Sequence, residues 1–417
     1  VCFLASLSLA AAPSGAVLLP APQSPETGAA VATSVVPPTP EQAFQDRATV
    51  LFQSIPGWWD RREWNAAIEE HRALLKEFEL LSPEEKKAKR SLASDIAYSL
   101  ACALARGGKP AEAVATLKTA VDTYGRLIHY GEYAHWKQDT DLDSLRDRTD
   151  FAALLERLRG VGDYRAVLRS APDYPAAADP NAPPVRYQDA KQAELRALRE
   201  RYRLEEVAGK GNEVSRLKNL MLWVNRQVAH DGSAFPPTVR NAAALLEGAK
   251  QQKDGLNCRM MSTILNDVLL AEGFATRHVA CMPRNPDDPD CHVVNAVWCK
   301  SLGKWVWMDA SFAGYWTDEA GQLLGIEEMR ERVRAGKPVK AAATLHHNAD
   351  RYTEAEYLDY MTKNMYWFVT PIESRFDCET AGGVRYLALV PPGGKQGWSK
   401  EGDTYYTSDP AAFWRKP

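Results

Sequence analysis

The chain has 417 residues, 45% of them apolar, and a formal charge of −3 from nearly balanced acidic and basic residues. That length suits two or three domains, and the apolar content excludes a disordered chain. The charge balance, with no basic run, excludes a surface built for nucleic acid.

The first stretch, VCFLASLSLAAAPSGAVLLPAP, is apolar and rich in small residues, and it has neither Met nor a basic lead. Residues 1–20 therefore read as the apolar and cleavage regions of a secretory signal whose first residues are missing. The expectation is a secreted or periplasmic protein, lipid-anchored if Cys2 is acylated. Residues 21–43, rich in Pro, Ala, Thr and Ser, read as a flexible linker. No later apolar run is long enough for an internal transmembrane span.

Residues 44–165 are expected to be helical. REWNAAIEEHRALLKEF, SPEEKKAKRSLASDIAYSLACALARGG and KPAEAVATLKTAVDTYG carry apolar residues at helical spacing. Ser82 is a candidate cap, with Pro83 in the first turn and Glu85 at the capping-box position. Ala93 to Gly125 has small residues where two antiparallel helices would touch, and with GGKPAEA across the turn it resembles a tetratricopeptide repeat. DTDLDSLRDRTDFAALLERLRG resembles the tail that follows such repeats. This region is expected to pack or to dock a protein partner rather than to do chemistry.

A Pro/Ala-rich linker is expected at 166–187, then a domain over 188–340 and an accessory region over 341–417. The second domain opens with a charged helix near 188–205, followed by NEVSRLKNLMLWVNRQVAH. Asn257 is a candidate N-cap, which puts Cys258 on the first turn of a helix running to about Glu272. Unpaired N–H groups and the helix dipole favour an anion there and lower a thiol's pKa. Gly273 ends the helix, and ATRHVACM follows as a strand.

CHVVNAVWC and KWVWMDA form a hairpin across SLG. Alternation puts His292, Val294, Ala296 and Trp298 on one face, and Trp305, Trp307 and Asp309 on one face of the second strand. His292 and Asp309 then fall within a residue or two of being opposite. Each residue has a bland reading: Cys258 a buried small side chain, His292 a satisfied strand histidine, Asp309 a turn cap. Together they make a nucleophile, a base and an orienting acid. Imidazole takes the thiol proton and later protonates the leaving group, while the carboxylate holds the ring and stabilises its charged form.

This stretch resembles the transglutaminase-like superfamily, which has a papain-like core. The family pattern is a Cys opening a helix, Gly–x–x–x–Arg before a strand, a His opening an aromatic-bearing strand, and a Trp-rich strand ending in Asp. Here those are Cys258, Gly273 to Arg277, His292 with Trp298, and Trp305 to Asp309. The resemblance covers about 190–340. It implies an α+β fold, with the Cys-bearing helix packed on an antiparallel sheet that carries His and Asp, behind an α-helical repeat-like domain. It also implies that Cys258, His292 and Asp309 serve as nucleophile, base and orienting acid. Two departures from the family would reshape the cleft: HVVNAVW moves the aromatic away from His292, and Ala310-Ser311 follow the Asp where Pro-Thr is common.

Oxyanion donors are less legible. The Cys258 N–H, Gln227, Trp223 and His230 are the candidates. The expected reaction is thiol-dependent acyl transfer or amide hydrolysis through a thioester. Water as acceptor makes a protease, peptidase or amidase, and an amine makes a transglutaminase. Expected substrates are peptide or protein amides, among them cell-wall peptides and glycoproteins. No cofactor or metal is implied: no CxxC or zinc spacing occurs, and HHNAD at 346–350 reads better as a polar loop than as a metal site. The acidic loop PRNPDDPD, at the mouth of any cleft, is either a solvated loop or an attraction for basic ligands. Seven cysteines at irregular spacing make no disulfide framework, although Cys281, Cys291, Cys299 and Cys378 are available to pair in an exported chain. The alternative function is a non-catalytic protein- or glycan-binding scaffold, supported by the helical region and the aromatic-rich tail.

Overall fold

Thr39 and Pro40 open the first helix in the way their chemistry dictates. The Thr39 hydroxyl accepts from the Gln42 N–H at 3.2 Å, and Pro40 occupies the first helical position. The protein is seen here as a computed structural model that describes residues 39–125, 132–175, 177–252, 255–285, 288, 290–380, 383–394 and 404–417. The expected signal and most of the expected linker lie outside these residues. The part of that linker within them, from Pro40 to 43, is already helix α1 (Pro40–Arg61).

Helices α2 (Trp64–Leu80), α3 (Pro83–Arg106), α4 (Pro110–Asp122), α5 (Glu132–Gln138), α6 (Thr149–Gly162) and α7 (Tyr164–Arg169) follow. The capping box at Ser82 is formed: Glu85 N–H donates to the Ser82 hydroxyl at 3.3 Å, and Ser82 N–H to the Glu85 carboxylate at 2.8 Å. Ala93, Ala97, Ala101 and Ala105 recur every fourth residue along α3 and are buried with Ala113 and Ala120 of α4. Small side chains there let the two helices approach closely.

The Pro/Ala-rich segment after α7 is not a free linker. Ala182 is buried, and Arg186–Tyr187 pair in parallel with Glu373–Ser374. Asp179 accepts from Tyr405 Oη at 3.0 Å, and its N–H donates to Asp409 at 2.9 Å. Proline removes helix and ladder donors, but it leaves an extended backbone free to lie along a sheet edge. The charged helix expected at 188–205 is two helices, α8 (Ala193–Tyr202) and α9 (Leu204–Ala208). Arg203 separates them in a left-handed conformation, φ 51°. Helices α10 (Glu213–Gln227), α11 (Ala242–Gln252) and α12 (Cys258–Ala271) complete this layer.

The sheet has six strands: β1 (Thr276–Met282), β2 (His292–Cys299), β3 (Lys304–Met308), β4 (Trp367–Pro371), β5 (Tyr386–Leu389) and β6 (Thr404–Thr407). Their order is β6-β5-β4-β1-β2-β3, antiparallel except for the β5–β6 pair. The tail expected as an accessory region therefore supplies half of the sheet. Of its strands, β5 falls within RYLALV, which Gly and Pro mark off in the sequence, while β4 and β6 follow irregular sequence without such bounds.

One face of the sheet packs on α8–α12, where Val297, Cys299, Val306 and Met308 meet Leu265, Val268 and Leu269. The other packs on α7, α13 (Ile326–Arg334), α14 (Glu354–Asn364) and α15 (Pro410–Phe413) through Val279, Val294, Ala296, Trp307, Tyr357, Met361 and Phe413. Arg277 is buried on this second face, its guanidinium 5.0 Å from the Trp305 ring centre and 4.9 Å from that of Phe413, and it donates to Phe413 O at 2.7 Å. It anchors α15 to the sheet. No helix among the described residues is long and apolar enough to cross a membrane.

Candidate active site

Asn257 caps α12 as expected, its side chain accepting from the Met260 N–H at 3.0 Å. The N–H groups of Cys258 and Arg259 then have no partner within the helix, so the thiol stands where the dipole favours a negative charge. Two hydrogen bonds fix the helix to the strand that carries the base. Ser262 Oγ donates to Val293 O at 2.6 Å, and Asn295 Nδ2 donates to Ser262 O at 3.0 Å. Arg259 forms a two-pronged pair with Glu379, at 2.7 and 2.9 Å, and also donates to Tyr386 Oη at 2.9 Å. Glu379 also meets His278 Nε2 of β1 at 3.1 Å, which ties the first turn of α12 to the sheet.

The hairpin register pairs Asn295 with Met308 and Ala296 with Trp307. Extended by one step, it sets Asp309 across from Val294, on the His292 face and two residues along. His292 Nε2 lies 2.7 Å from Asp309 Oδ2, and both residues are almost wholly buried. The bland reading of Asp309 also holds, on its other oxygen: Oδ1 accepts from Ser311 N–H at 2.9 Å and caps the turn. That turn is closed by Asp309 and Gly314, which exchange N–H···O bonds of 2.9 Å in both directions.

The helix carrying Cys258 packs on the opposite face of the sheet from His292, and the two meet at the start of β2. There the half-buried thiol lies within hydrogen-bonding reach of the His292 and His230 imidazoles and of the Val293 N–H. Burial alone would raise the thiol's pKa, but these neighbours outweigh it and bring it down to about 6. Burial likewise opposes charge on His292, yet Asp309 and the thiol raise its pKa to about 10. The same imidazole and the Tyr357 hydroxyl hold Asp309 below its ordinary value against its own burial. These opposite shifts favour a thiolate beside an imidazolium between those limits, and such a pair can chemically attack a carbonyl carbon and protonate a leaving group.

Of the less legible oxyanion candidates, the structure brings only His230 and the Cys258 N–H to the site. Gln227 Nε2 donates back into its own helix, to Trp223 O at 3.2 Å. The Trp223 ring packs edge-on against Tyr202, 5.6 Å away. Several neighbours went unseen in the sequence. Tyr357 Oη donates to Asp309 Oδ2 at 2.6 Å, while Phe312 and Tyr360 lie 5.1 and 5.4 Å from the His292 ring. These two give His292 its aromatic contacts, in place of the Trp298 that HVVNAVW sets at a distance. No pattern links residues 357 and 360 to residue 292; the signal was only the helical spacing of Tyr357, Tyr360 and Met361.

Two carboxylates of the acidic loop already share a cationic partner within the protein. Lys363, itself buried, donates to Asp288 at 3.0 Å and to Asp290 at 2.8 Å. Cys281, Cys291, Cys299 and Cys378 are all free thiols, and burial pushes Cys291 up to about 12. One group with metal-ligating atoms within 4.8 Å of one another, Cys102, Asp139 and Asp141, lies in the helical region. Its carboxylates already accept from Tyr98 at 2.6 Å and Trp59 at 2.7 Å, which suits a hydrogen-bonded corner better than a cation.

Comparison with known proteins gives one family. Residues 201–310 match the model of the Transglutaminase-like superfamily, a span that includes Cys258, His292 and Asp309. The observed α+β architecture, a helical N-terminal region ahead of a helix-and-sheet core, agrees with that superfamily at a coarse level, and its general chemistry is cysteine-dependent hydrolysis and acyl transfer. No curated protein matches the chain. A solved structure of a candidate cysteine protease from Cytophaga hutchinsonii is 15% identical, with a TM-score of 0.23 over 42% of this chain and 61% of that one.

Proposed function

We propose that the protein is a cysteine-nucleophile hydrolase or acyltransferase that works through a thioester. The observation that carries this reading is the meeting, at one end of the sheet, of the Cys258 thiol with the buried His292–Asp309 pair. Three separate segments contribute these side chains, and a scaffold has no physical need for that set. In the proposed cycle the Cys258 thiolate attacks the carbonyl carbon of an amide or ester. The C=O electrons move to oxygen, then return as the bond to the leaving group breaks and His292 gives that group its proton. His292 next deprotonates the acceptor, which attacks the thioester and frees the thiolate. Water as acceptor gives hydrolysis and an amine gives transfer. Asp309 keeps His292 in place and compensates its charge throughout.

Peptide and protein amides are the proposed substrates, and the helical region that packs behind the site through α7 is the proposed dock for a protein partner. Export, expected from residues 1–20, would bring cell-wall peptides and glycoproteins within reach. The test uses p-nitrophenyl acetate and intact-mass spectrometry. Acetylation of the wild type at Cys258, lost in Cys258→Ala and strongly slowed in His292→Ala, supports the reading. Acetylation that ignores both substitutions overturns it.

A further inference from the structure

His230 and His347 come from segments the catalytic chemistry described so far does not use, and they meet beside the nucleophile. His230 follows α10, and its backbone bridges Leu256, two residues before Cys258. Gly255 allows this close approach, because a Cβ there would lie 2.6 Å from the Asp231 Cβ and 3.1 Å from Ala229 O. His347 belongs to HHNAD, which folds as a tight hairpin pairing His346–His347 with Asp350–Arg351. Asn348 takes a left-handed conformation at φ 54°, which Asn tolerates better than most residues. From there its side chain clamps His230 at both ends: Asn348 Oδ1 accepts from the His230 N–H at 2.7 Å, and Nδ2 donates to His230 O at 3.0 Å. Phe312 packs on the rings of His230, His347 and His292 at 5.8, 5.4 and 5.1 Å.

The nitrogens of His230 have different surroundings. Nδ1 lies 3.1 Å from His347 Nε2, whereas Nε2 is buried and makes no formed hydrogen bond. The His230 imidazole is a hydrogen-bonding neighbour of the Cys258 thiol, and with Nδ1 engaged by His347, Nε2 is the nitrogen left to face it. A hydrogen bond between the two rings needs one proton. If His230 supplied it, the bare Nε2 lone pair would face the Cys258 thiolate and repel it. If His347 Nε2–H donates to His230 Nδ1, His230 carries its proton on Nε2 and points it at the reacting atoms.

We infer that His230 is a catalytic residue that donates its Nε2–H to the oxyanion formed when Cys258 attacks, and that His347 is a positioning residue that fixes the donating tautomer of His230. The inference rests on the acyl-transfer reading above. As the S–C bond forms, charge leaves the sulfur for the carbonyl oxygen, and a neutral donor beside the sulfur can follow it. The Cys258 N–H at the start of α12 is the second donor. A neutral imidazole suits this role because it adds no charge to compete with the His292 imidazolium for the thiolate.

The test compares two reactions of the same thiol. Iodoacetamide alkylation is a displacement at a saturated carbon and forms no oxyanion, whereas acylation by p-nitrophenyl acetate does. Both reactions are run at about pH 9, above the ordinary thiol pKa of about 8.5, so that the part His230 plays in lowering the thiol does not enter the comparison. For His230→Ala, alkylation of Cys258 is then expected to stay within about threefold of wild type, while acylation falls by about 10²–10³ through kcat, with KM little changed. His230→Gln, which restores an N–H donor, should recover at least about tenfold of that loss. His347→Phe should cost acylation about tenfold and leave alkylation unaffected. Equal loss of both reactions in His230→Ala would assign His230 to thiol activation and overturn the inference, as would unchanged acylation. Failure of the acyl-transfer reading looks different: wild-type protein would alkylate at Cys258 but never acylate there. The Gln variant keeps the test decisive if the Ala variant does not fold.

Discussion

Tyr357→Phe isolates one hydroxyl at the base of the site. The ring has its own reasons to stay: it stacks on Trp316 at 5.1 Å and 9°, and it fills the space beside Gly314. Phenylalanine keeps those contacts. The Asp309 carboxylate, with no exposure to water, would lose the 2.6 Å donor on Oδ2 and keep His292 at 2.7 Å and the Ser311 N–H at 2.9 Å. A hydrogen bond to a charged group contributes about 1.5–3 kcal/mol, and that is the expected loss of stability. The carboxylate also becomes more basic and leans harder on its remaining partner. The His292 imidazolium, with its pKa already raised to about 10, should therefore persist to higher pH. Urea unfolding at neutral pH measures the first effect, as a lower midpoint at unchanged slope. The alkaline limb of the Cys258 alkylation profile measures the second. A variant with the wild-type midpoint and an alkaline limb that is unmoved or lowered would refute this account of Asp309.

Three further outcomes are expected. Asp309→Asn leaves a buried imidazolium without its counter-charge and permits the wrong tautomer, so acyl transfer should fall by on the order of 10⁴ in single-turnover assays. Glu379→Gln removes the charge that Arg259 and His278 share, at a cost of about 3–5 kcal/mol at neutral pH. Because the folded Glu379 carboxyl is held below its ordinary value, its stabilisation is present above that value and fades as pH falls through the folded one. The variant's stability should therefore fall less steeply in acid, as pH-dependent unfolding would show. Lys363→Met strands Asp288 and Asp290, so limited proteolysis by thermolysin should cut the loop before Cys291 faster than in the wild type, with Asp288 the buried member of the pair.

The central stretch was legible because each residue there obeys a local rule. Asn257 caps, Cys258 opens the helix, and strict alternation puts His292 and Asp309 on one face. The pairing of HHNAD with His230 was not legible, since the 3.1 Å contact joins residues 117 apart and depends on a hairpin with no period of its own. Composition misled twice. The Pro/Ala segment looked like a linker yet lends a strand to Glu373–Ser374, and the acidic loop looked open yet Asp288 and Asp290 pair with Lys363 from a distant helix. Composition reports what a segment cannot do locally and is silent on what packs against it. In the tail, RYLALV could be read as a strand because Gly and Pro bound it, and it is β5, whereas β4 is buried on both faces and shows no alternation to mark a side.

Cysteine alkylation as a function of pH tests the central claim most directly. Iodoacetamide is applied to the wild type and to His292→Ala, with labelling read at Cys258 by peptide mass spectrometry. Reactivity in the wild type should rise with its midpoint near pH 6, where the thiol ionises. Loss of His292 should move that midpoint up towards the value of a free thiol, about 8.5. A wild-type midpoint already near the free-thiol value, or one that ignores the loss of His292, would contradict the account.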